Sequence, residues 1–269
     1  MSKKEKHKFT STSKKKVKNI PFKSKSKQIS LKERLRRVYE DTVNLNTTCK
    51  CTNFCCRVAM PQMNYCEFSQ LINEIWGTSS KSEKIEFVCK SIEYFFRHEF
   101  EKWGMESLVK KCMLLSKNGK CSYYESRPLS CRIYGLWPKK EYNERVDKFE
   151  KAYKGLLKRK DLPLNVQCKN VKRVDDSKEL TIEVINDLFA QLDKIDDKIG
   201  DFSDVQLEQK ENYRTFHDWI LLKTYGEDWL ITLTSFMMAA KKEDLVDLVE
   251  QLKVATRQNF AKEVPDLRI

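Results

Sequence analysis

The residues able to do chemistry in this chain are its cysteines, ten of them in 269 residues. Four crowd into Cys49-Lys-Cys51-Thr-Asn-Phe-Cys55-Cys56. Three more, Cys112, Cys121 and Cys131, fall in a stretch punctuated by Gly119, Pro128 and Gly135. Their spacing is too long for one helical face and shows no period-two alternation, so the stretch reads as a folded loop. A thiolate is a soft ligand that suits zinc, iron–sulfur clusters or Cu(I), and not magnesium or calcium. Histidine adds little. His7 sits near the start, His98 and His217 sit in predicted helices, and no His-Glu-x-x-His pattern occurs. An all-cysteine site is therefore expected, with the two knots closing on each other around metal.

Neighbouring Cys55 and Cys56 point apart and do not readily serve one tetrahedral ion, which argues for more than four ligands in all. The expected ligands are Cys51, Cys55, Cys56, Cys112, Cys121 and Cys131, with Cys49 and Cys168 as further candidates. Eight thiolates would fit two four-ligand sites, either two zinc ions or two cubane clusters; six or fewer would fit one cluster plus structural thiols. So much negative charge calls for donors close by. Arg127 is the main candidate to hydrogen-bond sulfur from behind the ligands, with Arg132 and Arg57 after it, and Pro128 should stiffen the turn that presents Cys131. Cys89 lies on the apolar stripe of a helix and reads as a core thiol, and Cys66 is set aside on the same grounds. His217-Asp218-Trp219 suggests a paired acid and base. Adjacent helical residues diverge, however, so a satisfied histidine is the expectation.

The rest of the chain must position these groups. Residues 1–30 carry eleven lysines and one glutamate, so +10 of the net +13 belongs to them. The body is close to neutral, and the lysine-rich tail reads as a disordered extension or a holder of an anionic partner. No secretory leader is evident, and Trp219–Ala240 is interrupted by Lys223, Gly226, Glu227 and Asp228, so no membrane span is expected. A cytoplasmic setting follows as the expectation, where clustered thiols stay reduced and serve as ligands or redox groups.

Seven glycines and six prolines leave few turns, and apolar residues recur at helical spacing. The fold expected is mainly α: a single irregular helical domain over residues 31–269, with a cysteine-rich metal-binding loop region at 49–135 and Cys168, in a polar connector, as a candidate extension of it. Ser30-Leu-Lys-Glu33 has the form of a capping box and opens a helix to about Asn46 along Leu31, Leu35, Val38 and Tyr39. Residues 67–76 predict a short helix stopped at Gly77. Ser80 and Glu83 open a longer one, striped by Ile85, Val88, Cys89, Ile92, Phe96, Phe100 and Trp103. Tyr142, Val146, Phe149, Tyr153 and Leu157 mark another. Ile182, Ile185, Leu188, Phe189, Leu192, Ile195 and Ile199 mark the next. Ser203 and Gln206 are expected to open a helix running to about Tyr225, followed by helices over Trp229–Ala240 and around Leu245–Leu252. The helices at 67–103 would bring the first knot back to the second.

Three stretches carry a family resemblance: Cys51-x-x-x-Cys55-Cys56-Arg57, then Cys112-Met-Leu-Leu, then Asn118-Gly119-Lys120-Cys121-x-x-Tyr124-x-x-Arg127-Pro128-x-x-Cys131-Arg-x-Tyr134-Gly135. In order, spacing and the Arg-Pro pair this resembles the bacterial cysteine-cluster proteins of the CxxxCC (YkgJ) type, described as zinc- or iron-chelating domains. The likeness covers residues 49–135. The chain departs from the pattern at Met113, and at Cys49 and Cys51, which stand one residue apart without a glycine. The resemblance implies metal chelation by the motif cysteines and no settled activity. A more distant likeness is to flagellin lysine N-methylases. It implies the alternative of a protein lysine N-methyltransferase-like enzyme with a protein substrate, an iron–sulfur cluster and S-adenosylmethionine, although the chain has no Gly-rich dinucleotide-type loop.

Overall fold

The computed structural model describes residues 29–43, 56, 60–102, 112–134, 180–199 and 213–268, with scattered positions from 136 to 151. The lysine-rich tail up to residue 28, the stripe from Tyr142 to Leu157, and Ser203 and Gln206 lie outside the described residues. The described residues are mostly helical, as expected. They form α1 (Leu31–Val43), β1 (Gln62–Asn64), α2 (Tyr65–Thr78), α3 (Lys81–Lys102), α4 (Leu129–Arg132), α5 (Ile182–Ile199), β2 (Tyr213–Thr215), α6 (Phe216–Tyr225), α7 (Glu227–Ala239) and α8 (Lys242–Asn259).

Local sequence explains several of the ends. The Glu33 amide donates to Ser30 Oγ at 3.3 Å to start α1. At α3 the pair closes in both directions: the Ser80 amide donates to Glu83 Oε2 at 2.7 Å, and the Glu83 amide to Ser80 Oγ at 3.3 Å. Two predicted boundaries need correction. Gly77 does not stop α2, which continues to Thr78, where the Ser79 amide still reaches the Ile75 carbonyl at 2.9 Å. Nor does one helix run unbroken into Tyr225. Residues 213–215 are extended, and α6 begins at Phe216 with Thr215 as its cap and Asp218 answering it.

The strand β2 has a partner about 150 residues earlier in the chain. It pairs antiparallel with β1, setting Gln62 against Thr215, Met63 against Arg214 and Asn64 against Tyr213. Each strand then runs straight into a helix through a capping box, Asn64 with Glu67 and Thr215 with Asp218. The two passages share one order of residue types, polar cap, aromatic, variable, acid, aromatic: Asn64-Tyr65-Cys66-Glu67-Phe68 beside Thr215-Phe216-His217-Asp218-Trp219. Tyr65, Phe68, Phe216 and Trp219 meet at their junction, with Phe68 and Trp219 stacked at 5.8 Å between ring centres. The Trp219 indole N–H donates to the Met63 carbonyl at 3.0 Å, so the buried ring leaves no polar atom unsatisfied.

Helix α2 divides the core. Phe68, Leu71, Ile72 and Ile75 face a large apolar cluster shared with α3, α6, α7 and α8. Cys66 faces a second cluster shared with α1, α4 and α5, where Leu35, Val38, Tyr39, Leu129, Ile133, Ile185, Leu188, Leu192 and Ile195 are buried. The C-terminal segment returns over α2, and the Trp76 indole N–H donates to the Pro265 carbonyl at 3.1 Å.

Two buried carboxylates hold the start of α2. Asp196 of α5 accepts from the Cys66 amide at 2.6 Å and the Tyr65 amide at 3.2 Å, filling the role of an anion at a helix N-terminus. Glu67 accepts from Tyr39 Oη of α1 at 2.6 Å, the Leu129 amide of α4 at 2.6 Å and the Asn64 amide at 3.1 Å. Burial nevertheless dominates and pushes the Glu67 carboxyl up to about 7; it pushes Asp196 up as well. A carboxyl whose folded pKa exceeds its unfolded value stabilises the fold fully below the unfolded value, and that contribution is lost as pH rises through the folded one. Stability to urea should therefore fall by roughly 3 kcal/mol between pH 4.5 and 7.5. Glu67→Gln should shrink that slope while weakening the fold at pH 5 by about 1–3 kcal/mol, since its amide nitrogen faces the Asn64 N–H. An unfolding midpoint that rises over this pH interval in the native chain would contradict a buried protonated Glu67.

Candidate metal centre

The second knot folds as a hairpin followed by one short helical turn. Cys112 opens it, and the Leu115 amide reaches back to the Cys112 carbonyl at 3.0 Å. Lys117-Asn118-Gly119 then reverses the chain. The Gly119 amide donates to the Ser116 carbonyl at 2.9 Å, the Ser116 amide to the Lys120 carbonyl at 2.8 Å, and the Lys120 amide to Ser116 Oγ at 3.2 Å. Gly119 sits at φ 72°, a left-handed conformation that glycine adopts without a steric penalty. The reversal lays Cys121 opposite Leu115 in an isolated antiparallel bridge, and the Ser122 amide donates to the Leu114 carbonyl at 3.0 Å. The eight residues between Cys112 and Cys121 are thus folded into a narrow loop.

Pro128 acts as the sequence suggests. It caps α4 with φ −65°, and its carbonyl accepts from the Cys131 amide at 3.0 Å and the Arg132 amide at 3.2 Å. The turn carrying Cys131 is anchored on both sides. The Leu129 amide is held by Glu67, and Ser130 Oγ donates to the Gln62 carbonyl of β1 at 2.6 Å. Further up the loop, Ser126 Oγ donates to the Glu74 carboxylate of α2. The segment from 126 to 130 therefore runs along α2 in the opposite sense, from Glu74 back toward its capped start.

Among the described residues, the two knots meet where the Cys112 amide donates to the Cys56 carbonyl at 2.6 Å. Cys112 is buried, while Cys56, Cys121 and Cys131 are half-buried. Among the described residues, no three His, Cys, Asp or Glu side chains gather as a metal-holding group. Cys49, Cys51, Cys55, Cys168 and Arg57 lie outside the described residues. The donor chemistry suits a soft metal, and the backbone joins Cys56 to Cys112, but the described thiols alone do not make a complete ligand set.

The arginines are held by the protein. Arg127 donates from Nε to the Tyr124 carbonyl at 2.8 Å and stacks its guanidinium 3.4 Å over the Tyr124 ring centre. Arg132 donates from Nε to the Arg127 carbonyl at 2.8 Å and from Nη2 to the Glu125 carbonyl, and lies 4.1 Å over the Tyr39 ring. These contacts fix the loop's shape and tie α4 to α1. The two cysteines set aside are core groups: Cys66 Sγ donates to the Leu192 carbonyl and Cys89 Sγ to the Lys253 carbonyl, each at 3.7 Å. Burial pushes both thiols upward, away from the thiolate that a metal requires.

A cleft of about 630 Å³ opens beside Cys112, between α3 and the hairpin. Lys90, Glu93, Tyr94 and Arg97 line one wall, and Cys112, Met113, Leu115 and Ser116–Gly119 line the other. Behind Tyr94 lies the fully buried His217, ring centres 6.1 Å apart. As expected, His217 and Asp218 form no hydrogen-bonded acid–base pair, since Asp218 Oδ1 accepts no hydrogen bond from the described residues. Asp218 is drawn back to cap Thr215, and this brings its Oδ1 to 3.4 Å from His217 Nε2. His217 also lies 3.1 Å from Thr215 Oγ1, so it is a hydrogen-bonded core histidine.

Sequence reasoning missed Glu67 and Asp196, the groups that position Cys131's turn and the start of α2. Asn64-x-x-Glu67 has the spacing of a cap and gives half of the signal; the part played by Asp196 follows only from tertiary packing. No protein-family model, curated protein or solved structure matches the chain.

The hairpin has a direct test. Gly119→Ala should destabilise the fold by about 1 kcal/mol in urea, because alanine must adopt the left-handed conformation, whereas Gly119→Asn should cost less. Equal stability of the alanine variant and the native chain would argue against this turn.

Proposed function

We propose that the protein binds zinc or an iron–sulfur cluster through its two cysteine knots, with Cys51, Cys55, Cys56, Cys112, Cys121 and Cys131 as thiolate donors and Cys49 and Cys168 as further candidates. The observation that carries this reading is the 2.6 Å bond between the Cys112 amide and the Cys56 carbonyl, which brings a member of each knot into contact. The fixed turns on either side support it, since Gly119 folds Cys121 back and Pro128 presents Cys131. Arg127, held on Tyr124, is the candidate to offset thiolate charge. Bound zinc would supply a rigid tetrahedral closure, and an iron–sulfur cluster would supply electron transfer or a site for chemistry on its iron. A reducing cytoplasmic setting is part of the proposal, as is an anionic partner for the lysine-rich tail.

The test is metal content and optical spectrum of protein purified without air. Stoichiometric zinc with a colourless solution selects the zinc form, and brown protein with iron and sulfide selects the cluster. Cys56→Ser and Cys112→Ser should each lower metal content by at least about half, since each removes a ligand that the site needs to close. Cys89→Ser should leave it unchanged. Native protein free of both metals, or full loading in the Cys56 and Cys112 variants, would refute the assignment.

A second reading, a protein lysine N-methyltransferase-like enzyme using S-adenosylmethionine at an iron–sulfur centre, is favoured by one observation. The cleft beside Cys112 has the size of a small-molecule site, and Tyr94 places one aromatic ring in a wall otherwise lined by Lys90, Glu93 and Arg97. It predicts a calorimetric signal when S-adenosylmethionine is titrated into metal-loaded protein, and a weaker one in Tyr94→Ala. No heat of binding to the loaded native chain would eliminate it.

A further inference from the structure

We propose that the protein self-associates through α7, two copies packing this helix antiparallel about a twofold axis. The helix buries Leu230, Leu233 and Met237 against the core. Its opposite face is apolar and open to solvent: Ile231 is 58% exposed, Phe236 49% and Met238 63%. Thr232, Ser235 and Ala239 lie between these large side chains and are exposed too. At 100° per residue, Ile231 and Met238 form one edge of the face, Phe236 the other, and the three small residues the centre. Not one charged residue occurs between Asp228 and Lys241. An uncharged helical face with three exposed large hydrophobic side chains is an interaction surface by composition, and small central residues permit close approach of a second helix.

The charges at its ends indicate the occupant. Asp228 at the start and Lys241 just past the end are both exposed. A second copy in antiparallel orientation, with the axis passing between Thr234 and Ser235, sets Asp228 of each chain against Lys241 of the other. The same axis sets Ile231 of each chain against Met238 of the other. One surface thereby complements itself twice, as a closed isologous dimer requires. A parallel arrangement would oppose Asp228 to Asp228 and Lys241 to Lys241, which the charges disfavour. The inference is independent of what the cysteines hold.

Sedimentation equilibrium of the full chain under reducing conditions tests it, over a roughly hundredfold concentration range. Reduction removes any disulfide-linked species from the comparison. The expected result is a reversible dimer in the native chain. Ile231→Glu should be monomeric throughout with unchanged helix content. Asp228→Lys and Lys241→Asp should each weaken association by roughly tenfold, since each places like charges at two symmetry-related contacts. The double variant carrying both changes should recover it. A native chain that is monomeric at every concentration, an Ile231→Glu dimer as tight as the native one, or a double variant no better than the singles would overturn the proposal.

Discussion

One buried carboxyl, that of Glu67, receives hydrogen bonds from three segments that are far apart in sequence. Tyr39 brings α1 to it, Leu129 brings the end of the cysteine-rich loop, and Asn64 brings the backbone at the junction of β1 and α2. A buried acceptor with three donors fixes direction as well as distance, because each donor would be left unsatisfied if its segment moved away. Asp196 does the same for the next two amides of α2. The start of α2 is thus a polar junction enclosed by Leu35, Leu129, Ile133 and Leu192, and the second apolar cluster forms around it.

The loop that carries Cys112, Cys121 and Cys131 depends on this junction at one end and on α3 at the other. Leu129 and Ser130 dock the Cys131 turn onto Glu67 and β1, while Cys112, Met113 and Leu114 bury themselves in the large cluster beside α3. The hairpin between is free to project, and it forms one wall of the cleft. Such an arrangement holds both ends of the loop through hydrogen bonds and apolar contacts of the protein itself.

What the sequence discloses about this molecule follows from the range of the interactions involved. The cap at Ser30, the capping box at Ser80, the stripes of α1, α3 and α5 over their described side chains, and the turn at Pro128 are local, set by residues within a few positions of one another, and the structure agrees with them; Phe100 and Trp103 of the α3 stripe lie outside the described side chains. The departures are tertiary. A three-residue strand such as Tyr213–Thr215 has too little pattern to be recognised alone, and its partner lies at the other side of the chain. Glu67 and Asp196 sit in helices whose polar positions look solvated until α1, α4 and α5 close over them. Asp218 approaches His217 because a cap bends its side chain back, a detail that average helical geometry does not contain. For the cysteines, thiol chemistry and the spacing of the turns could be read directly, whereas the meeting of Cys56 with Cys112 required the fold.

The central claim is that thiolates from both knots surround one inorganic centre. X-ray absorption at the metal edge of protein purified without air measures this most directly, by counting the atoms bound to the metal. The account predicts a shell of sulfur near 2.3 Å and about four per metal, with the sulfur count reduced in both Cys56→Ser and Cys112→Ser. A shell of oxygen and nitrogen, an absent edge, or a sulfur count unchanged in either variant would contradict it.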